Sequence, residues 1–185
     1  MKTALLIIDM INNLDFPGGD KLLKESIPVA KNIAHIKTFF KQNDLPVIYV
    51  NDNFGKWKSS WEDVYKHCAC EGSKGRELAE MLKPEKDDYF VLKPKHSGFY
   101  STNLDVLLND LEIKKLVVTG IAGNICVLFT VNDAYMRGYE VHVPRNTIAS
   151  ESRELNEFAL CQFKDVFDIT TSSLTDVHQI LSQDD

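Results

Sequence analysis

Short apolar runs recur along the chain and alternate with segments whose apolar residues lie three or four positions apart. The runs have the length of buried strands, and the spaced segments are typical of helices with one apolar face. The runs predict strands at residues 3–9, 46–51, 88–93, 115–119, 139–143 and 165–170. The spaced segments predict helices at residues 27–43, 75–82, 102–111, 125–137 and 151–163.

This alternation predicts the fold class. Strands that alternate with helices favour a parallel sheet covered by helices on both faces. Because crossover connections between parallel strands are right-handed, the expected architecture is a three-layer α/β/α sandwich. No long linker interrupts the 185 residues, and a hydrophobic content of 44% is sufficient for one core. We therefore expect residues 1–185 to form a single domain.

Three predicted strands lead into side chains that can do chemistry. Asp9 ends the first apolar run, Lys93 ends the third, and Cys126 follows the fourth at the start of a predicted helix. In an open α/β sheet the functional crevice lies beyond the carboxyl ends of the strands, so these side chains are expected to meet there. A carboxylate, an ammonium and a thiol in one pocket would suit nucleophilic catalysis.

The segment around Cys126 is the most specific of the three. Gly120 and Gly123 permit a tight turn between strand and helix. Unpaired N–H groups and the positive end of the helix dipole predict a lowered thiol pKa and a place to hold an oxyanion. Taken alone, the segment is equally compatible with a small buried cysteine that only packs.

These residues belong to a series of motifs that resembles the isochorismatase-like cysteine hydrolases, which include nicotinamidases, N-carbamoyl amidohydrolases and isochorismatases. The motifs span nearly the whole chain. They read Leu-Ile-Ile-Asp9-Met, Asp15-Phe16, Lys93-Pro-Lys-His-Ser97-Gly-Phe99, Thr119-Gly-Ile-Ala-Gly-Asn124-Ile-Cys126-Val, and Asn132-Asp133-Ala134 with Gly138-Tyr139. The resemblance implies a six-stranded parallel sheet in a Rossmann-like order and a homo-oligomer, either a dimer or a tetramer.

The resemblance also implies a site and a reaction. Asp9, Lys93 and Cys126 would be catalytic, and a cis peptide bond would join Ile121 to Ala122. The N–H groups of Ala122 and Cys126 would form the oxyanion hole. The implied reaction is cleavage of a C–N bond in a small amide or ureido substrate through a thioester. Vinyl ether hydrolysis of the isochorismatase kind and a catalytically silent binding or assembly subunit are the alternatives.

The chain departs from the family at a metal site. Nicotinamidase-like members carry an Asp-x-His motif after the second strand, where this chain has Asn51-Asp52-Asn53. Without an imidazole this is a weak site for a transition metal, so we expect no metal and no cofactor. Cys68 and Cys70 lack the spacing of a zinc site, and Cys161 is interpreted as a core residue.

Four residues near strand ends are candidates for binding substrate. Asn12 and Phe16 follow the first strand, and Phe54 and Trp57 follow the second. They are expected to supply an amide and aromatic walls that exclude water. Many family members have a Gln at the position of Asn12 and a Thr at that of Gly123, which counts against nicotinamide as the preferred substrate.

Residues 52–73 form the longest segment without a predicted element, and whether they cover the site is left open. Within this segment the spacing of Trp61 and Tyr65 favours one buried helical face.

Charge and hydropathy exclude several kinds of partner. A net charge of −6 argues against nucleic acid, whose phosphates attract basic surfaces. No apolar run approaches the roughly 20 residues that cross a bilayer. The first residues faintly resemble a signal peptide, but Asp9 interrupts their apolar run. We expect a cytoplasmic protein whose partners are a small-molecule amide or ureido substrate and further copies of itself.

Overall fold

A parallel sheet forms the centre of the computed structural model, which describes residues 2–172. Its strands are β1 (Thr3–Ile8), β2 (Val47–Asp52), β3 (Tyr89–Lys93), β4 (Lys115–Ile121), β5 (Glu140–His142) and β6 (Ile148–Ala149). Their spatial order is β3-β2-β1-β4-β5. β6 pairs with the last two residues of β4, and every strand pair is parallel. The predicted six-stranded parallel sheet is confirmed.

Helices cover both faces of the sheet, as the alternating pattern predicts. They are α1 (Gly19–Gln42), α2 (Trp61–Cys68), α3 (Arg76–Met81), α4 (Leu104–Asp110), α5 (Leu128–Met136) and α6 (Arg153–Cys161). Two π-helical turns, Gly123–Val127 and Gln162–Val166, precede α5 and follow α6. No helix of residues 2–172 has the length and apolar character that a membrane span requires.

Successive residues of the strands pack alternately into two apolar clusters, one on each face of the sheet. In β1, Leu5 and Ile7 join the cluster that α1 and α3 complete, whereas Leu6 and Ile8 join the cluster of α4, α5 and α6. All four are fully buried. Because side chains alternate across a strand, a run that is apolar at every position is what a sheet between two helical layers requires.

The predicted strand at 165–170 is wrong. Residues Gln162–Val166 continue α6 as a π-helical turn, and Thr170 alone of this stretch forms a bridge, to His142. Phe163 and Phe167 are four positions apart and both pack against the second cluster, which a helical turn allows. The sixth strand is instead the two-residue β6.

Two helices differ from prediction. α1 begins at Gly19, eight residues before the predicted start, and carries Pro28 in its interior. α2 occupies part of the segment 52–73, where Ser60 and Asp63 form a capping box. Trp61 contacts the Phe90 ring with centroids 5.9 Å apart. Trp61 and Tyr65 therefore lie on a helix as predicted, but both are partly rather than fully buried.

Candidate active site

The side chains of Asp9, Lys93 and Cys126 meet at the carboxyl edge of the sheet. Lys93 Nζ lies 2.7 Å from Asp9 Oδ2 and 3.6 Å from Cys126 Sγ. Asp9 and Lys93 are buried, and Cys126 is partly buried. Three residues from separate parts of the sequence therefore form one cluster around a buried ammonium.

Asp9 is held by the backbone as well as by Lys93. It has a left-handed conformation with φ of 52°, which is uncommon outside glycine but tolerated by Asp. Its N–H donates to the Val50 carbonyl, and its Oδ1 accepts from the Asp52 N–H at 2.8 Å. One carboxylate oxygen is thus fixed by β2, and the other faces the ammonium.

The turn before Cys126 depends on two glycines. A Cβ on Gly120, whose φ is 117°, would lie 2.1 Å from the Ile8 carbonyl oxygen, so only glycine lets β4 approach β1 this closely. A Cβ on Gly123 would lie 2.6 Å from Asn156 Oδ1. The Ile121–Ala122 peptide bond between them is cis. These features place Cys126 in the π-helical turn next to β1.

Thr130 joins the loop after β3 to this turn. Its buried hydroxyl donates to the Cys126 carbonyl at 2.7 Å and accepts from the Gly98 N–H at 2.9 Å. In the same loop, the Ser97 hydroxyl donates to the Asp133 carboxylate. Two bonds from α5 therefore fix the loop that follows Lys93 relative to the thiol.

The pKa of the Cys126 thiol is raised, which corrects the lowered value expected from the sequence. Burial is the main cause, and the neighbouring Asp9 carboxylate adds to it, while Lys93 acts in the opposite direction. Burial also lowers the pKa of Lys93, but attraction to Asp9 and to Cys126 outweighs it and the net pKa is raised. The resting site is therefore a neutral thiol beside an ion pair.

A cavity of about 440 Å³ opens above the thiol. Asp9, Ala122 and Cys126 form part of its wall. Asn12, Phe16 and Phe54, three of the four predicted substrate-binding residues, line it as well.

Trp57, the fourth, lies outside the cavity, and its side chain is 78% exposed. Phe54 has a φ of 52°, and the Lys56 N–H donates to the Asn53 carbonyl at 2.9 Å. The structure therefore does not bring Trp57 to the cavity, and its role in substrate binding stays a prediction.

His96, in the loop after β3, is a further residue of this site. It lines the cavity, and its Nδ1 lies 3.9 Å from Cys126 Sγ. Its ring also contacts Phe129, with centroids 5.6 Å apart. Tyr100, which follows in the same loop, is 57% exposed and does not line the cavity. A position shortly after a strand does not by itself show which side chain reaches the cavity.

The residues after β2 do not fit the metal site of nicotinamidase-like proteins. Asn51 exchanges two hydrogen bonds with the backbone of the loop after β1, and Asn53 Oδ1 accepts from the backbone of its own loop. Asp52 Oδ1 accepts from the Phe54 N–H at 2.5 Å. Within residues 2–172 no three His, Cys, Asp or Glu side chains are arranged to hold a metal ion.

The isochorismatase domain family model matches residues 3–174. The chain belongs to the isochorismatase family. The uncharacterized isochorismatase family protein YaaI of Bacillus subtilis (strain 168) is 46% identical over 170 residues, which cover 91% of this chain and 93% of YaaI. The predicted family is thereby confirmed, and the chain is an isochorismatase-family hydrolase.

Two further proteins that are similar to this chain carry named activities. Ureidoacrylate amidohydrolase RutB of Serratia proteamaculans (strain 568) is 31% identical over 166 residues, covering 75% of this chain and 66% of RutB. The structure of the nicotinamidase SaPncA from Staphylococcus aureus superimposes with a TM-score of 0.71 at 25% identity, covering 93% of this chain and 98% of SaPncA.

Proposed function

We propose that the protein is a cysteine-dependent amidohydrolase that cleaves a C–N bond of a small amide or ureido substrate. The observation that carries this proposal is the position of Lys93 Nζ, between the Asp9 carboxylate and the Cys126 sulfur at the base of a cavity. A proton acceptor, a cation and a nucleophile are the parts that thiol-based acyl transfer needs. The amidohydrolase and nicotinamidase activities of its relatives agree with this reaction.

The reaction begins from the neutral thiol. Asp9 accepts the thiol proton as the Cys126 sulfur attacks the substrate carbonyl, and the Lys93 ammonium stabilises the negative charge on sulfur. A tetrahedral intermediate with a negatively charged oxygen results.

The N–H groups of Ala122 and Cys126 would hold that oxygen. Neighbouring N–H groups are already engaged: that of Asn124 donates to Ser150 Oγ, and that of Ile125 to the Ala122 carbonyl. A donor aimed at a developing oxyanion contributes about 3 kcal/mol to the transition state.

The second half of the reaction returns the proton. Asp9 donates it to the leaving amine, which leaves a thioester on Cys126. Water then attacks the thioester with Asp9 as general base, which releases the acid and restores the thiol. Asp9 thus acts as acid and base in turn.

Vinyl ether hydrolysis fits the site less well, since that reaction needs a general acid and makes no use of a thiol. In this site the Cys126 sulfur lies 3.6 Å from the Lys93 ammonium that pairs with Asp9, an arrangement that attack by sulfur uses and vinyl ether hydrolysis does not. A silent subunit would have no use for a buried ion pair beneath an open cavity, because burying such a pair carries a desolvation cost.

The direct test replaces the thiol. We expect both Cys126→Ala and Cys126→Ser to abolish ammonia release from a panel of small amides and ureides, because neither supplies a comparable nucleophile. Their thermal unfolding should change little, since the side chain is small and only partly buried. Cys161→Ala is the matched control and should keep full activity, because Cys161 is exposed rather than in the core as the sequence predicted. Near-normal turnover by either Cys126 variant would contradict the proposal.

A further inference from the structure

The cavity that holds the thiol is acidic. Asp9, Asp15, Asp52 and Glu151 all line it, and within residues 2–172 its lining contains no Lys or Arg. The ammonium of Lys93 lies beneath, where it pairs with Asp9. Within residues 2–172 the lining of this cavity therefore contains four carboxylate residues, one of them paired with Lys93, and one imidazole, that of His96.

The three other carboxylates are not neutralised by ion pairs with described residues. Asp52 is the last residue of β2 and is partly buried, and Asp15 is exposed in the loop after β1. Glu151 is held against Gly18, where a Cβ would lie 2.6 Å from Glu151 Oε2. Gly18 also has a φ of 91°, so two constraints favour glycine at the position beside this carboxylate.

Aromatic side chains complete the wall between these carboxylates. Phe54 lines the cavity beside Asp52, and Phe16 lines it beside Asp15. Aromatic faces attract cations through their quadrupole, and carboxylates attract them more strongly. Carboxylates repel a bound carboxylate, and aromatic faces do not stabilise one.

We propose that the natural substrate carries a positive charge, as an ammonium or a guanidinium, in the substituent that occupies this cavity. The proposal rests on the proposed function, because it assigns the charge of the amide or ureide that Cys126 attacks. Juxtaposed like charges strongly disfavour binding. An anionic substrate, such as the ureidoacrylate named for RutB, would meet several carboxylates here.

Three ureides of similar length test the charge directly. They are 3-aminopropylurea, which is a cation at neutral pH, butylurea, which is neutral, and 4-ureidobutyrate, which is an anion. We expect kcat/KM for ammonia release to be at least about 100-fold higher for the cation than for the anion, with the neutral compound between them. The preference should weaken as salt is added, because salt screens charges near an open cavity.

Variants locate the source of the preference. Glu151→Gln removes one charge from the cavity and should reduce the cation-to-anion ratio of kcat/KM about tenfold. Glu157→Gln makes the same change at a 54% exposed side chain that does not line the cavity, so its ratio should match that of the unmodified protein. Equal effects of the two variants would mean that net charge, rather than the cavity, sets the preference, and would overturn the proposal.

A binding measurement separates this proposal from the proposed hydrolysis. Calorimetry on the Cys126→Ala variant reports the affinities of the three ureides without turnover. Tighter binding of the cation supports the charge assignment even if the unmodified protein hydrolyses none of them, a result that would count against the reaction alone. Equal affinities, preference for the anion, or no binding of any of the three would overturn the charge assignment.

Discussion

At the scale of single residues, the protonation of Cys126 decides how the thiol reacts. Its pKa is raised by burial and by Asp9, so at neutral pH the sulfur is protonated and weakly nucleophilic. We expect iodoacetamide to modify Cys126 slowly at pH 6–7 and faster as the pH rises towards the thiol pKa. Residue-resolved mass spectrometry would measure this. Rapid alkylation of Cys126 at pH 6–7 would contradict the raised pKa.

Substitutions of Asp9 and Lys93 should change the rate at which iodoacetamide modifies Cys126 in opposite directions. Asp9→Asn removes a negative charge, so the thiol pKa falls and alkylation at neutral pH becomes faster, while turnover is lost with the proton acceptor. Lys93→Met removes the stabilising cation, so the pKa rises further and both rates fall. If both variants altered alkylation and turnover only slightly, the three side chains would not act as one site.

The sequence predicted which residues form the cluster but not the direction of the thiol pKa. Asp9, Lys93 and Cys126 could be predicted because each lies where an apolar run ends, and parallel strands bring such ends together. The pKa depends on how deeply the turn is buried and on the 2.7 Å contact between Asp9 and Lys93. The position of Trp57 outside the cavity could not be predicted for a similar reason, since it depends on a single turn after Phe54.

At the scale of elements, Thr130 of α5 connects the loop after β3 to the nucleophile turn. Thr130→Val keeps the shape but leaves the buried Gly98 N–H without its acceptor, so we expect a loss of about 1–3 kcal/mol in the free energy of unfolding. Turnover should also fall, because His96 lies in the freed loop. Thr130→Ser keeps the hydroxyl and should retain most of the activity. A Val variant as active as the Ser variant would contradict this role.

The residues at the end of β2 predict that the activity does not depend on a divalent metal ion. The amides of Asn51 and Asn53 are engaged by backbone groups, and Asp52 alone is a poor ligand set. We expect dialysis against a strong chelator to leave turnover unchanged, with metal content of the protein followed by mass spectrometry. Activity that disappears on chelation and returns with zinc or iron would contradict the prediction.

The errors in predicted elements have local physical causes. The stretch at 165–170 looks like a strand because of its apolar residues, but Phe163 and Phe167 satisfy helical spacing equally well and pack into the core from a turn. Pro28 is typical of a first helical turn, which favours a start near residue 27, yet α1 already begins at Gly19. A short apolar run can form either a strand or a helical turn, and a proline can lie at the start of a helix or inside it. The tertiary contacts of each segment decide between these possibilities.

At the scale of the whole molecule, the two apolar clusters share one sheet. Val117 and Val118 are adjacent in β4, are fully buried, and belong to opposite clusters. Loosening one helical layer therefore exposes strands that the other layer needs. The single domain, the homo-oligomer and the cytoplasmic location expected from the sequence stay predictions.

The coupling predicts one cooperative unfolding transition. Leu108→Ala in α4 and Ile33→Ala in α1 would each create a cavity, one in each apolar cluster. Each substitution should lower the free energy of unfolding by about 2–5 kcal/mol. Trp61, the first residue of α2, contacts the Phe90 ring, which packs against the cluster of Ile33 on the face of the sheet opposite to Leu108. Even so, Leu108→Ala should shift the urea midpoint measured by tryptophan fluorescence as much as the midpoint measured by circular dichroism, because both layers unfold together. A fluorescence midpoint that stays at the value of the unmodified protein would show that the two layers unfold separately.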